Sequence, residues 1–511
     1  MGHQAAVSAS SSSAAEAGIS ILRQGGNAVD AAVAAALASC VADCCNTGIG
    51  GYGGHMLVAP PGEAAVAIDF NMWVSAAHAD RRAVTAGPRA SVVPNVVAGL
   101  ARALAAMGTM DWAEVTAPAI ALCANGVEAN RTLQTAFAQV AGADFLAECF
   151  EIESSARGER ASGFRFRQPA LARTLEQIAT RGPAWFYNGP IASRAVAAMR
   201  AAGSDVTEAE WREAPQAVTI AQAPSMRIRE AIVYSAPLGT TGSLCMFGTL
   251  AAGAALAREQ TLNSPEGIAA WVSQIASMWS YRFGDPDGNR VSVDGLDAWV
   301  ERALASNMRA AVPKSTGHTC HLNTLDGDGM MVAATLTHGP AWFGARWAVP
   351  ESGVVMNAGA HLLAGVAPVL VGPRAYAVTN MAPTIVRPGD GAALAVGCPG
   401  ARRIPTILGV VLARHLFGGD DLQAAVSRGR FHAESRDLAT VEAGRADASV
   451  VAALRKRFAR VEEEGVKQYF GPFTGIRREA GGAISLGLDD RLPGYAVLSP
   501  EISASASLAA P

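Results

Sequence analysis

The run Gly317-His318-Thr319-Cys320-His321-Leu322, with Asp326-Gly327-Asp328-Gly329 close behind, holds the residue types best suited to chemistry in this chain. The pattern predicts a threonine at the head of a hairpin, with Cys320–Leu325 and Met330–Thr337 paired across the Asp-Gly-Asp-Gly turn. A threonine hydroxyl is a weak nucleophile until a base lies within hydrogen-bond reach, and one such base is the residue's own α-amine. Thr319 has a free α-amine only if the bond from His318 is cut. Self-cleavage there would turn an inert hydroxyl into an attacking one. Taken alone, a threonine at a strand start is more often structural.

A second stretch, Gly397-Cys398-Pro399-Gly400-Ala401-Arg402-Arg403, reads as a tight turn between a strand and a helix running through Ile407, Val411 and His415. Pro405 suits that helix's first turn. Such a start leaves N–H groups without intrahelical partners, in the positive end of the helix dipole. Amides so placed can hold an oxyanion, a contribution of roughly 3–4 kcal/mol per donor. An ordinary helix start accounts for the same residues.

Other motifs are weaker. Gly48-x-Gly50-x-x-Gly53 matches a dinucleotide loop, but the order here is helix, loop, strand, and that site needs strand, loop, helix. Close backbone packing is the better reason for these glycines. Asp285-Pro286-Asp287-Gly288-Asn289 lacks the glycine and glutamate of a calcium loop and reads as a turn. His318 and His321 lack the further ligands of a metal site. Gly-x-Ser-x-Gly and His-Glu-x-x-His are missing from the sequence. No metal and no cofactor are expected.

The elements that must position these residues follow from patterning. Residues 13–43 read as helical, broken at Gly25-Gly26-Asn27, with the Ser10–Ser13 patch as a helix cap. The glycine loop feeds a hairpin through His55–Val58 and Ala64–Phe70. Residues 95–140 and 168–203, Ser243–Leu256 and Glu266–Phe283 read as helical, and Pro383–Val386 pairs with Ala392–Gly397 across a Pro-Gly turn. Strict βαβ alternation is missing, so the class is α+β and layered.

Composition narrows the partners. The chain has 511 residues, half of them hydrophobic, and a net charge of −3. No basic stripe invites nucleic acid, and no polybasic or long apolar segment invites a membrane. A small-molecule or peptide partner is expected. Met1-Gly2-His3-Gln4-Ala5 has no cationic region leading into an apolar core, so a cytoplasmic location is expected, or a periplasmic one had a leader been removed. Eight sparse cysteines, two of them adjacent at Cys44-Cys45, point to reduced thiols.

The chain resembles the γ-glutamyltransferase family of N-terminal nucleophile hydrolases. The stretches carrying the resemblance are Ile21 to Ala32 with its Gly-Gly-Asn-Ala-Val-Asp-Ala run, Gly50 to Leu57, Ala67 to Phe70, Val93 to Gly99, Gly284 to Asp287, the Thr319 hairpin, Met381 to Val386, and the Gly397–Gly400 loop. The resemblance implies a four-layer αββα sandwich and a precursor that cleaves itself. His318 would end a large piece, residues 1–318, and Thr319 would begin a small one, residues 319–511. The pieces are expected to stay associated, and the pair is a candidate for a homo-oligomer. Thr319 would attack an amide carbonyl and pass the acyl group to water or an amine. Thr337 matches the threonine that hydrogen-bonds the nucleophile. Gly400 and Ala401 fall where the family has two oxyanion glycines.

The family's substrate cage is depleted. Glu351 matches its glutamate, but the asparagine position reads Gly339, and Ala358-Gly359-Ala360-His361-Leu362 lacks the expected glutamine and aspartate. His361 is a candidate replacement. Thr379-Asn380 stand for paired serines that grip a carboxylate, with Arg81 the nearest arginine. An unpaired buried ammonium costs several kcal/mol. The expectation is therefore a small amide that need not be γ-glutamyl, with an acyl group bearing an anion. A genuine γ-glutamyltransferase or glutathione hydrolase with a rearranged pocket is the alternative.

Overall fold

A computed structural model describes residues 4–75, 84–154, 163–285, 291–310, 317–363, 369–371, 374–376, 378–465, 470–491 and 495–498. Arg81 and most of the Asp285–Asn289 turn lie outside these residues.

The strands that matter are β1 (Ala6–Ala9), β2 (Gly53–Ala59), β3 (Val66–Asp69), β4 (Thr219–Gln222), β5 (Ser225–Ile228), β6 (Ala231–Tyr234), β7 (His318–Leu325), β8 (Met331–Gly339), β9 (Thr384–Arg387), β10 (Ala393–Gly397), β11 (Thr474–Arg478), β12 (Ile484–Leu488) and β13 (Tyr495–Leu498). They form a seven-stranded sheet ordered β13-β1-β7-β8-β2-β3-β4 and a six-stranded sheet ordered β12-β11-β10-β9-β6-β5. Both are antiparallel throughout.

The sheets stack face to face. Leu57, Leu325, Met331 and Ala333 of the first meet Ile385, Ala395 and Ile476 of the second in one apolar layer. Helices α1 (Ser12–Arg23) and α2 (Ala28–Ala42) cover the outer face of the first sheet. Helices α3 (Thr241–Arg258), α4 (Pro265–Gly284) and α5 (Arg403–Phe417) cover the second. The order helix, sheet, sheet, helix is the expected αββα sandwich.

Helix α2 shows why the Gly-Gly-Asn-Ala-Val-Asp-Ala run is so distinctive. Every residue from Ala28 to Ala42 is buried, so the helix is apolar all round. Its start is held by a reciprocal box between Asn27 and Asp30. Asp30 also accepts from the Thr109 and Met110 amides and from the Thr109 hydroxyl, at 2.6–3.1 Å. Asp326 of the hairpin turn accepts from the Ala28 amide at 3.0 Å, tying α2 to the β7–β8 hairpin. The most recognisable stretch of the sequence therefore serves the scaffold.

All eight cysteines are buried and free. Burial pushes the Cys40, Cys149 and Cys245 thiols up to about 12.

Candidate active site

Thr319 sits at the start of β7, opposite Thr337 of β8, and both are buried. The register is His318 with Gly339, then Thr319 with Thr337, so His338 is an extra residue on β8. Bulges of this kind re-aim side chains beside functional sites. Here the Thr337 hydroxyl donates to the His318 carbonyl oxygen and accepts from the Gly339 amide at 2.9 Å. The carbonyl that precedes Thr319 is thus polarised in the intact chain. The His318 ring lies against Trp342, with centroids 4.9 Å apart.

The glycine loop makes this geometry possible. A Cβ on Gly51 would lie 2.8 Å from the Thr337 carbonyl oxygen, one on Gly54 2.4 Å from that of Thr335, and one on Gly53 2.1 Å from that of Phe70. Gly48 leaves room for the His338 ring, 2.6 Å from where its Cβ would be. These glycines pack backbone on backbone beside the Thr319 hairpin.

Alternate residues of β7 face the second sheet. Beyond Thr319 comes His321, whose Nδ1 lies 2.8 Å from Thr335 Oγ1 and whose Nε2 lies 2.9 Å from Asn323 Oδ1. Burial lowers His321 to about 4 and His338 to about 3, so both rings are neutral. The inter-sheet space is therefore apolar at the far end and polar beneath Thr319.

The second sheet brings the Gly397–Ala401 turn to the same place. Ala401 is in the left-handed region at φ 53°, a strain of roughly 1–2 kcal/mol for a residue with a Cβ. Gly400 is at φ 134°. Neither amide donates to another group among the described residues. Backbone strain and orphan amides together are what an anion-holding turn requires. The backbone of Gly317, two residues before Thr319, packs against this turn, and a Cβ there would lie 3.2 Å from Ala401 Cβ.

The turn is anchored from behind. Glu434 bridges Arg402 and Arg403, the latter at 2.5 Å, and Arg403 also meets Glu464 at 3.2 Å. Gly471 packs under Pro399, and its carbonyl accepts from Arg430, which pairs with buried Asp489 at 2.5 Å. Sequence reading missed Glu434, because its separation of 31 residues from Arg403 carries no local pattern.

Tyr52, Gly317, Thr319, Thr337, Gly339, Pro340, Leu362, Thr379, Asn380, Met381, Ala401 and Ile404 line a narrow, half-open cavity of about 30 Å³. The structure thus brings Thr319, Thr337, Ala401, Thr379 and Asn380 together. Leu362 reaches the cavity, whereas its neighbour His361 does not line it. The His361 Nδ1 is buried with no hydrogen-bond partner among the described residues.

Glu351 is placed elsewhere. It tips a turn between Ala348–Val349 and Val354–Val355, at φ 61°, with its side chain 76% exposed and paired to Arg194 at 2.8 Å. The expected grip on a substrate ammonium is not built there. Two adjacent strands force that turn outward to solvent and to the helix Pro190–Ala201.

The chain matches known proteins along most of its length. The cephalosporin acylase from Bacillus halodurans superposes with a TM-score of 0.78 at 22% identity, covering 97% of this chain and 96% of that one. The fold is that of the N-terminal nucleophile hydrolases. The gamma-glutamyltranspeptidase family model matches residues 14–499, and the chain belongs to that family. Among its relatives is a glutathione hydrolase proenzyme of Pseudomonas sp. (strain A14), 28% identical over 82% of this chain and 80% of that one. Another is the oxamate amidohydrolase proenzyme of Klebsiella pneumoniae, 28% identical over 94% of this chain and 96% of its own length. The chain is an enzyme of the hydrolase type. Among the described residues no helix is long and apolar enough to cross a membrane, and no cluster suits a metal ion.

Proposed function

We propose that this chain is a self-processing threonine amidohydrolase acting on a small amide through an acyl-enzyme on Thr319. The observation that carries the reading is the Thr337 hydroxyl on the His318 carbonyl, at a bulge beside two orphan amides.

Processing begins when Thr319 Oγ attacks the His318 carbonyl carbon. The carbon–nitrogen bond breaks, the Thr319 nitrogen takes a proton, and His318 becomes an ester on Thr319. Water then hydrolyses the ester, freeing a carboxylate on His318 and both the hydroxyl and amine of Thr319. Departure of Gly317-His318 from the Ala401 turn would enlarge the cavity for substrate. In turnover the free amine takes the Thr319 hydroxyl proton as Oγ attacks the substrate carbonyl. The Gly400 and Ala401 amides receive the oxyanion. The same amine protonates the departing nitrogen, and water releases the acyl group.

The pieces 1–318 and 319–511 would stay together. In the first sheet β1 of the large piece lies between β13 and β7 of the small one, and in the second sheet β6 pairs with β9. The absence of Glu351 from the cavity, and of any charged side chain among its described lining residues, weighs against a zwitterionic γ-glutamyl head. Near-complete coverage of an amidohydrolase relative points the same way. The glutathione hydrolase relatives favour the alternative of true γ-glutamyl transfer or hydrolysis.

Denaturing electrophoresis with N-terminal sequencing tests the reading. Two bands are expected, the smaller beginning at Thr319, and the Thr319→Ala variant should give one full-length, inactive chain. A working enzyme intact across residues 318 and 319 would refute it. Ready turnover of a γ-glutamyl anilide would instead select the alternative.

A further inference from the structure

Behind the cavity wall lies a row of polar groups that the reaction above leaves unused. His55 of β2 is fully buried. Its Nδ1 lies 3.1 Å from Asp69 Oδ1 on β3, somewhat off the ring N–H axis. The same Asp69 oxygen accepts from the Asn71 amide at 3.0 Å. On the other side, His55 Nε2 lies 3.4 Å from Thr379 Oγ1. Thr379 lines the cavity with Thr319.

The backbone of Thr379 has little freedom. Its carbonyl accepts from the Gly242 amide at 3.1 Å, and a Cβ on Gly242 would lie 2.4 Å from the carbonyl oxygens of Asn380 and Met381. What remains adjustable is the direction of the Thr379 hydroxyl. His55 Nδ1 and Asp69 form no hydrogen bond, but a carboxylate oxygen 3.1 Å away would repel a lone pair on Nδ1, which favours the tautomer with its proton there. In that tautomer Nε2 carries the lone pair and accepts a hydrogen bond from the Thr379 hydroxyl, 3.4 Å away. The lone pairs of Thr379 are left to face the cavity.

We infer that His55, backed by Asp69, is a positioning residue that makes Thr379 a hydrogen-bond acceptor, so that the site takes small neutral acyl groups carrying an O–H or N–H in preference to those carrying a carboxylate. This departs from the carboxylate grip implied by the family resemblance. It rests on the amidohydrolase reading above. The small, uncharged described lining of the cavity agrees with it.

Matched anilides of acetyl, glycolyl and malonyl groups test the assignment on the full chain. The processed enzyme should prefer glycolyl over both others. In His55→Phe the glycolyl-over-acetyl preference should fall roughly tenfold, the worth of one hydrogen bond, and the loss should appear in KM for the glycolyl substrate. His55→Gln, which restores an acceptor, should recover part of it, and it carries the test if the phenylalanine variant does not fold. A preference for malonyl would mean that Thr379 donates, and would overturn the proposal. So would an unchanged glycolyl-over-acetyl ratio in both variants. Scission is scored first on gels: a chain that never splits defeats the amidohydrolase reading itself, whereas a chain that splits with an unaltered ratio defeats the role of His55 alone.

Discussion

Thr337 donates its hydroxyl proton to the carbonyl oxygen of His318, and its oxygen in turn accepts the Gly339 amide at 2.9 Å. The hydroxyl is therefore aimed at the carbonyl that the proposed scission would attack. Thr337→Ala should slow scission by roughly 10²–10³, the usual loss for one oxyanion-type donor. Turnover should fall as well, and Thr337→Ser should retain much of both. Time courses of band splitting on denaturing gels measure the first effect. Unchanged kinetics would remove Thr337 from the site.

The proposed general base is an α-amine, which titrates at about 7.7–8.0 when unperturbed. The rate constant kcat/KM should rise with pH and level off above that range, because only the neutral amine accepts a proton. His321 and His338 are held near 4 and 3 by burial, so neither produces such a limb. A pH–rate profile of the processed enzyme with its only rise near pH 4 would rule out the amine.

Glu434 holds Arg402 and Arg403 at the head of α5, next to the candidate oxyanion turn. Removing one partner of a buried ion pair leaves uncompensated charge, at a cost of about 3–5 kcal/mol. Glu464 keeps a contact to Arg403, so Glu434→Ala should fall at the lower end. Activity should drop further than stability, since the turn itself loosens. Denaturant melts read alongside turnover check both. Full activity in this variant would mean that the turn does not depend on its anchor.

Asp43 is buried beside Cys40, Cys44 and Cys45, and burial raises its carboxyl to about 7 despite hydrogen bonds from Asn46 and Ser10. Because the folded value lies above the ordinary one near 4, the folded chain holds this proton more tightly than the unfolded chain. The contribution to stability is complete below about pH 4 and is lost as pH rises to about 7. Asp43→Asn should flatten that slope and stabilise the protein at pH 8. Unfolding free energies at pH 5 and pH 8 for both chains measure it, and parallel slopes would contradict the assignment.

Much of the fold was legible along the chain. The β7–β8 hairpin announced itself through alternation and its Asp-Gly-Asp-Gly turn, and α1 and α2 through caps and breaks at Ser11 and Asn27. These features depend on hydrogen bonds between residues a few positions apart, and residue type and spacing encode such bonds directly. The pairing of Thr319 with Thr337, 18 positions on, was implied by the family resemblance, and the bulge at His338 that sets it was not legible.

Contacts across layers were a different matter. Glu351 matched a family position by alignment, yet it faces solvent beside Arg194, because the direction of a turn depends on what packs beneath it. Asp69, His55 and Thr379 converge from two strands and a loop spanning more than 300 positions. Glu434 reaches back to a turn formed 31 residues earlier. The chain alone dictated which segments fold as strand, helix or hairpin, and named the threonine between them. Stacking of the two sheets chose the neighbours of that threonine, because side-chain partners distant in sequence meet only once hydrophobic burial has set the layers against each other.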